Sequence, residues 1–276
     1  MSRSLTVEFT KMHGAGNDFV VLDNRWYRFD QEELSELAAQ WCPRRYGIGA
    51  DGLLALDPAE EDVDYRMRYV NADGSGATMC GNGARCLARF AVRAGVGEGE
   101  LEFISDAGRY RAEVPTDEEA PVRLYVPSPT RHAASPELEA RLPSDVEAVH
   151  FIHTGTEHLV AFVPDETTVP VAEWGRSLRE DPALAPAGAN VNFVAVANDA
   201  LRMRTYEKGV EAETPSCGTG VLAAAAVAAT TGRVSDDRIA VETRGGRLHV
   251  GTGASEPGWY LEGPVVTTFR GTFQVS

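Results

Sequence analysis

Lysine, cysteine and long apolar runs are all scarce in this sequence of 276 residues. Its only lysines, Lys11 and Lys208, stand outside the G-K-[ST] motif of a P-loop and outside any context typical of a pyridoxal phosphate enzyme. The longest apolar run, residues 221–229, is far shorter than the ~20 residues of a membrane span. The N-terminal stretch MSRSLTVEFTKM lacks the hydrophobic segment of a secretory signal. We therefore expect a cytoplasmic protein with no membrane partner.

The few cysteines exclude two common kinds of structural site. Four cysteines, Cys42, Cys80, Cys86 and Cys217, are too few in a chain this long for a disulfide framework, and no C-x-x-C pair suggests zinc. We expect four thiols and no bound metal. Cys42 follows an apolar helix face and Cys86 lies inside a helical run, so both are interpreted as buried structural thiols.

Positive charge is also limited, with 26 Lys and Arg against 41 Asp and Glu and a net charge of −15. This balance repels phosphate backbones, so nucleic acid is not expected as a partner. The composition, 43% hydrophobic and 24% charged, is that of a globular protein, and the length favours two domains.

Residue patterns along the chain predict a mixed α/β structure with mainly antiparallel pairing. Residues 9–22 are predicted to form two strands joined by a glycine-rich turn. Residues 30–41 have the pattern of an amphipathic helix that starts at Asp30 and is stopped by Pro43. Further short strands are predicted at residues 65–70, 102–105, 110–114 and 122–126.

The sequence contains an internal repeat with an offset near 137 residues. Cys80-Gly-Asn-Gly and Cys217-Gly-Thr-Gly each open an Ala-, Leu- and Val-rich helical run, and other landmarks recur in the same order. We expect two similar domains, residues 1–128 and 129–262, with residues 129–143 as the linker. The terminal segment 263–276 is expected to return to the first domain. A pseudo-twofold arrangement would bring the two cysteine turns together at a cleft.

Two thiols at helix N-termini favour one kind of chemistry. A helix N-terminus presents backbone N–H groups and partial positive charge, which bind anions and make a thiol there more acidic. One carboxylate could be held from both sides, with a sulfur on each face of the adjacent carbon. One thiolate would remove hydrogen from one face while the opposite thiol returns a proton to the other. The repeat thus predicts racemisation or epimerisation.

Five segments resemble the diaminopimelate epimerase family: TKMHGAGNDFVVLD, GIGADG, YVNADGSGATMCGNGARC, ANVNFV and TYEKGVEAETPSCGTG. The resemblance implies epimerisation, without a cofactor, of LL-2,6-diaminopimelate to the meso isomer in lysine and peptidoglycan precursor synthesis. It implies an α+β fold of two pseudosymmetric α/β domains, each a curled, mainly antiparallel sheet around a central helix, with the active site in the interdomain cleft. A homodimer is compatible with the sequence, which does not distinguish it from a monomer.

The resemblance also implies roles for individual residues. Cys80 and Cys217 would be the acid/base pair, and Glu207 and His158 would be catalytic residues near the reacting centre. Backbone N–H groups of two pairs would hold the proximal carboxylate, Glu207 the ammonium group, and two asparagines the distal end. The implied substrate contacts are Asn17, Asn71, Gly81, Asn82, Thr156, Asn190, Glu207, Lys208, Gly218 and Thr219.

Three departures from the common family pattern fall at the distal end of the substrate. Gly52 stands where a Gln is usual, Thr156-Glu157 where Asn-Pro is usual, and Lys208 where an Arg is usual. A lysine offers a point charge in place of a bidentate guanidinium. Another two-thiol amino-acid racemase of the same fold, independent of pyridoxal phosphate, therefore stays open as an alternative.

A protein of another class, an amino-acid-binding or thiol-redox protein, is the second alternative. A binding protein needs no matched thiols, and a redox pair usually lies close in sequence as C-x-x-C. The wide separation of Cys80 and Cys217 favours the enzyme.

Overall fold

The structure, a computed structural model, describes residues 5–59, 62–143, 146–197, 200–253 and 258–275. Residues 1–4 of the N-terminal stretch, where we expected no secretory signal, lie outside these ranges. The chain divides into two compact units, Met1–Leu124 with Gly263–Ser276 and Tyr125–Glu262. The fold is a mixed α+β structure in which strands predominate. No helix in the described ranges combines the length and apolar character of a membrane span.

Strands make up a larger part of the described chain than helices do. The first are β1 (Leu5–Gly14), β2 (Asn17–Leu22), β3 (Gly52–Asp57), β4 (Tyr65–Asn71), β5 (Gly76–Ala77), β6 (Gly99–Ser105), β7 (Gly108–Val114) and β8 (Val122–Val126). The others are β9 (Thr130–Ala134), β10 (Ala148–His153), β11 (Glu157–Phe162), β12 (Asn190–Ala197), β13 (Ala200–Glu207), β14 (Ala212–Thr214), β15 (Arg238–Thr243), β16 (Gly246–Thr252), β17 (Trp259–Gly263) and β18 (Val266–Val275). The helices are α1 (Asn24–Tyr27), α2 (Gln31–Trp41), α3 (Gly81–Arg93), α4 (Pro136–Glu139), α5 (Val171–Arg179) and α6 (Gly218–Thr230).

Strand pairing in the first unit is mainly antiparallel, as predicted. β1 pairs with β2, β3 with β4, and β6 with β7, all antiparallel. Two pairs, β2 with β3 and β4 with β6, are parallel and were not predicted. β18 returns from the far end of the sequence and pairs antiparallel with β1 from Leu5 opposite Val275 to His13 opposite Val266.

The second unit has the same succession of strand pairs. β10 pairs antiparallel with β11, β12 with β13, and β15 with β16. β11 with β12 and β13 with β15 are parallel. Each unit also has a short strand just before its cysteine turn. In the first unit β5 pairs with β4, and in the second β14 pairs with β13.

Residues 129–143 were expected to be a linker, and this prediction is wrong in detail. They contain β9, which pairs with β10, and the short helix α4. The backbone N–H of Ser135 donates to the carbonyl of Val149 over 2.7 Å, and Leu138 is buried. The segment is therefore an ordered part of the second unit. All residues of β9 are exposed, so its sequence shows no alternation of apolar and polar residues that would predict a strand.

The predicted amphipathic helix is confirmed as α2. The side chain of Asp30 accepts from the N–H of Glu33 while the Glu33 side chain accepts from the N–H of Asp30, which forms a capping box. Leu34, Leu37 and Trp41 form the buried face of this helix. The strands predicted at residues 65–70, 102–105, 110–114 and 122–126 are confirmed, with β6 and β7 starting two or three residues earlier.

α3 and α6 are the most buried helices of their units in the described chain. α3 contacts β1, β2, β3, β4 and β7, and α6 contacts β10, β11, β12, β13, β15 and β16. α6 is buried from Gly220 to Ala228 on all sides, which explains its composition of small apolar residues. A helix enclosed in this way has a fixed position, and so does the residue at its N-terminus.

Candidate active site

Cys80 occupies the N-cap position of α3. Its backbone is extended, with φ −141° and ψ 118°, and its side chain makes no capping hydrogen bond to the first turn. The first N–H groups of the helix, which include those of Gly81 and Asn82, point beyond the helix end. This geometry suits the binding of an anion beside the sulfur.

The Cys80 thiol lies beside two asparagines. Its Sγ donates to Asn17 Oδ1 over 3.4 Å, and Asn82 Nδ2 approaches the same oxygen at 3.5 Å. Asn82 is buried, and Arg85 of α3 donates to its Oδ1 over 2.8 Å. Cys80, Asn17, Gly81 and Asn82, all predicted from the sequence, are therefore neighbours.

An ion cluster that the sequence did not reveal supports Asn17. Asn17 Nδ2 donates to Asp51 Oδ2 over 2.7 Å, and Arg44 donates to both Asp51 and Asp18 over 2.7 Å. Burial alone would raise the pKa of Asp18, but hydrogen bonds from Arg44 and Lys11 outweigh it and lower that pKa to about 2. Lys11 also donates to the Gly49 carbonyl. The Asp18 carboxylate is therefore ionised at neutral pH.

Asn71 ends β4, where its Nδ2 donates to Ser75 Oγ over 3.0 Å. Gly52 on β3 lies opposite it in the strand ladder. A Cβ at Gly52 would stand 2.6 Å from Val70 O and from the ring of Tyr69. In this chain, a side chain at position 52 would require Val70 or Tyr69 to move.

Cys217 repeats the geometry of Cys80 at the N-cap of α6. Its backbone is extended, with φ −118° and ψ 110°, and the helix starts at Gly218 without a side-chain cap from the cysteine. Cys217 is 6% exposed, and its Sγ lies 3.5 Å from Thr219 Oγ1. The hydroxyl of Thr154 donates to the Thr219 carbonyl over 3.0 Å, which fixes the first turn.

The other two departures contact one another. Lys208 Nζ forms an ion pair with Glu157 Oε2 at 2.8 Å, and Thr156 Oγ1 donates to the same oxygen over 3.3 Å. The hydrogen bond from Lys208 is the main cause that lowers the pKa of Glu157 to about 2. Next to Lys208, Glu207 accepts from Thr214 Oγ1 over 2.7 Å. The cation at position 208 is therefore already bound by a carboxylate of this chain.

His158 lies in the interior of the second unit with no exposed surface. Burial is the first cause that lowers its pKa to about 3, so the ring is neutral at physiological pH. Its Nδ1 is 3.1 Å from Asn192 Nδ2, and its Nε2 is 3.4 Å from Asn190 Nδ2. Asn190 also accepts from the Lys208 N–H over 2.9 Å. These predicted residues thus share one hydrogen-bond network in this unit.

Sequence analysis missed Asn192, whose side-chain amide contacts the His158 ring. The signal was present, since Asn192 follows Asn190 by two positions in ANVNFV and alternate strand residues share a face.

Cys42 and Cys86 are confirmed as buried thiols, and burial raises the pKa of each to about 12. Among the described residues, no group of three or more His, Cys, Asp or Glu side chains is arranged to hold a metal ion.

Comparison with known proteins places these features in a family. The model of the family described as Diaminopimelate epimerase matches residues 9–131 and 150–268. A Diaminopimelate epimerase of Chlorobaculum tepidum is 40% identical over 95% of this chain and 99% of its own length. One of Methanothrix thermoacetophila is 40% identical over 96% of this chain and 95% of its own. A crystal structure of the Bacillus anthracis phenazine biosynthesis protein, PhzF family, covers 99% of both chains with a TM-score of 0.74 and 18% identity, which shows a shared fold.

Proposed function

Because the chain belongs to the diaminopimelate epimerase family, we propose that it converts LL-diaminopimelate to meso-diaminopimelate by moving a proton between Cys80 and Cys217. Family membership makes it an isomerase. The observation that carries the assignment of the cysteines is their matching position, each an extended N-cap residue without a side-chain cap on a buried helix.

The proposed arrangement is the one implied by the repeat: two domains, residues 1–128 and 129–262, with the substrate in a cleft between them. N–H groups of Gly81, Asn82, Gly218 and Thr219 bind the carboxylate next to the reacting carbon. Glu207 accepts from the ammonium group of the substrate. These donors stabilise the negative charge that develops on the carboxylate when the C–H bond breaks.

The reaction balances with two sulfurs and one carbon. A thiolate takes the proton from Cα on one face, and the C–H electron pair remains on the substrate as an enediolate-like carbanion. The thiol on the other face gives its proton to the same carbon, which inverts it. The two cysteines have then exchanged protonation states, and no cofactor has taken part.

Roles for the remaining predicted residues follow from their surroundings. His158 is buried and neutral, so it acts by orienting Asn190, and the substrate does not reach the ring in this conformation. Asn71, Asn190, Thr156 and Lys208 are proposed to bind the distal amino acid of the substrate. To do so, Lys208 must break its ion pair with Glu157 or bind both carboxylates at once.

The test is hydrogen exchange at Cα. Incubated in D₂O with LL-diaminopimelate, the protein should place deuterium at one Cα and form the meso isomer, while amino acids with a single carboxylate should stay unlabelled. Labelling only of the latter would assign the chain to another two-thiol racemase. Cys80→Ala and Cys217→Ala should each abolish net epimerisation, whereas a binding protein would keep its ligand affinity in both.

A further inference from the structure

Arg85 of α3 is a buried cation whose hydrogen-bond partners in the described chain are neutral. It has no exposed surface. Its Nη2 donates to Asn82 Oδ1 over 2.8 Å, its Nη1 donates to the Gly81 carbonyl over 3.4 Å, and its buried Nε has no partner among the described residues. A charge removed from water usually lies against an opposite charge, because neutral groups do not restore the lost hydration. No carboxylate in the part of the chain that the structure describes does this for Arg85.

The end of β1 covers this guanidinium. A Cβ at Gly14, the last residue of the strand, would lie 3.5 Å from Arg85 Nη2 and 3.1 Å from the Asn82 carbonyl oxygen. Burial lowers the pKa of Arg85 while Cys86 and Cys80 raise it, and a guanidinium stays protonated at neutral pH. The protein thus keeps a permanent positive charge in surroundings where water and salt screen it little.

The charge lies at the N-terminal end of the helix. Side chains of an α-helix lean toward its N-terminus, and this direction brings the guanidinium of Arg85 to Gly81 and Asn82, the first two residues of α3. The N–H groups of the same two residues are proposed to bind the carboxylate next to the reacting carbon. Arg85 therefore adds a full positive charge to the partial charge that any helix N-terminus carries.

The second cysteine helix has no such charge. At the offset of 137 that aligns Cys80 with Cys217, Arg85 corresponds to Leu222, which is buried in α6. None of the residues 218–230 of that helix is charged. Because the second unit builds its central helix with a leucine at this position, the packing of such a helix does not require a cation. The two helix ends therefore differ in how strongly they attract an anion.

We propose that Arg85 is a positioning residue whose buried charge, acting through Gly81 and Asn82, holds the carboxylate next to the reacting carbon at the start of α3 and stabilises the carbanion formed there. This inference rests on the proposed function, but only on its use of an amino acid as substrate. When the C–H bond breaks, its electron pair is shared with the carboxylate, whose negative charge increases. The attraction to Arg85 increases with that charge, so the residue favours the transition state over the bound substrate.

The test compares Arg85→Gln with Arg85→Lys. Both new side chains can donate to Asn82 Oδ1, but only the lysine carries a charge. Initial rates of Cα deuteration in D₂O at several concentrations of LL-diaminopimelate give kcat and KM. We expect Arg85→Gln to lower kcat/KM by about 100-fold, with a higher KM from weaker carboxylate binding and a lower kcat from the less stable carbanion. Arg85→Lys should recover most of this loss in both constants.

Arg89→Gln is the matched control on the same helix. Arg89 lies four residues after Arg85 and is also buried, but its guanidinium donates to the carbonyls of Pro115, Asp117 and Ala120. Its replacement removes an equal charge from the same helix without touching the first turn. It should lower the free energy of unfolding in urea while KM and kcat of the folded protein stay near their original values.

Three results would overturn the proposal: unchanged kcat and KM in Arg85→Gln, an Arg85→Lys variant as impaired as Arg85→Gln, or an equal loss in Arg89→Gln. If the unaltered protein labels a different amino acid, the proposed substrate is wrong, and the same comparison with that amino acid still tests Arg85. An unaltered protein that labels no amino acid overturns the proposed function and this role together. Circular dichroism checks the fold of each variant, and Arg85→Met replaces Arg85→Gln if the latter does not fold.

Discussion

Gly220 on α6 is required by a single neighbour on another element. A Cβ at this position would lie 2.4 Å from Asn192 Oδ1. Asn192 cannot move aside, because its Oδ1 accepts from Thr205 Oγ1 over 3.0 Å and its Nδ2 donates to the Leu159 carbonyl over 2.8 Å. The same Nδ2 contacts His158 Nδ1. Gly220 therefore sets the distance at which α6 packs over the histidine network.

Gly220→Ala should displace either α6 or Asn192, with a loss of about 1–3 kcal/mol in unfolding free energy and a fall in epimerase kcat. Gly83→Ala is the matched control, since Gly83 follows Cys80 as Gly220 follows Cys217. A Cβ at Gly83 would meet the flexible end of Leu54 at 3.1 Å and the Phe19 ring at 3.4 Å, which is ordinary contact, so its cost should be smaller. Urea unfolding and steady-state kinetics measure both. Equal losses in the two variants would contradict the role of Asn192.

His158 makes a separate prediction about pH. Its pKa is about 3 in the folded protein against 6.5 for an ordinary histidine, because burial opposes the charged ring. Between pH 6.5 and 3 the unfolded chain binds a proton at His158 that the folded protein does not bind. The stability that this group contributes is therefore complete above pH 6.5 and is lost as the pH falls toward 3. Unfolding free energy from urea titrations should decline over this window by up to about 1.4 kcal/mol per pH unit from this group. His158→Gln should flatten the decline.

His150→Gln serves as the comparison for that measurement. The pKa of His150 is also lowered, first by burial and then by His132 and Arg233, but the ring is only half-buried. Its replacement should flatten the decline less. If the slope of unfolding free energy against pH between 6.5 and 3 were the same with and without His158, the folded protein would also have to protonate this histidine in that range.

Glu157 and Lys208, which are far apart in sequence, meet at the ends of two strands. Glu157 starts β11 and Lys208 follows β13, and β12 pairs with both of these strands. Their ion pair spans this strand at one edge of the unit. Under the proposed function, a substrate carboxylate at Lys208 has to compete with Glu157. Glu157 and Lys208 therefore act as a pair, in which the carboxylate neutralises the ammonium group.

Glu157→Gln should release Lys208 for the distal carboxylate of diaminopimelate. Since the pair is partly exposed, we expect only a two- to fivefold decrease in KM, roughly 1 kcal/mol or less, with kcat little changed. Lys208→Met should raise KM, and in that background Glu157→Gln should no longer lower it. Initial rates at several substrate concentrations decide this. An increase in KM for Glu157→Gln alone would show that the ion pair itself shapes the substrate site.

The sequence predicted those elements whose cause is local. The start of α2 at Asp30, the glycine turns before α3 and α6, and strands β4, β7 and β8 each depend on a few neighbouring residues. It did not predict the parallel pairs or the contact of Glu157 with Lys208, since both depend on segments far apart in the chain. Asn192 and Asp51 were missed for the same reason, because their partners become neighbours only when strands pair.

At the scale of the whole molecule, the chain returns at its far end to complete the unit in which it began. β18 covers β1, and its Phe273 packs on Trp41 with ring centroids 5.1 Å apart. Phe273 and Val275 also contact the buried cluster around α2, which includes Leu34 and Leu37. The stability of the first unit therefore depends on residues more than 200 positions away in sequence.

Phe273→Ala should destabilise the first unit by about 1–3 kcal/mol, less than for a fully buried phenylalanine because the ring is only half-buried. Hydrogen exchange should show faster exchange in β1, α2 and β18, while amides of β11, β12 and α6 keep their protection. Trp174→Ala, which removes the ring packed on Phe193 at 6.1 Å, is the counterpart in the second unit and should give the opposite pattern. Uniform loss of protection in either variant would mean that the two units unfold as one cooperative body.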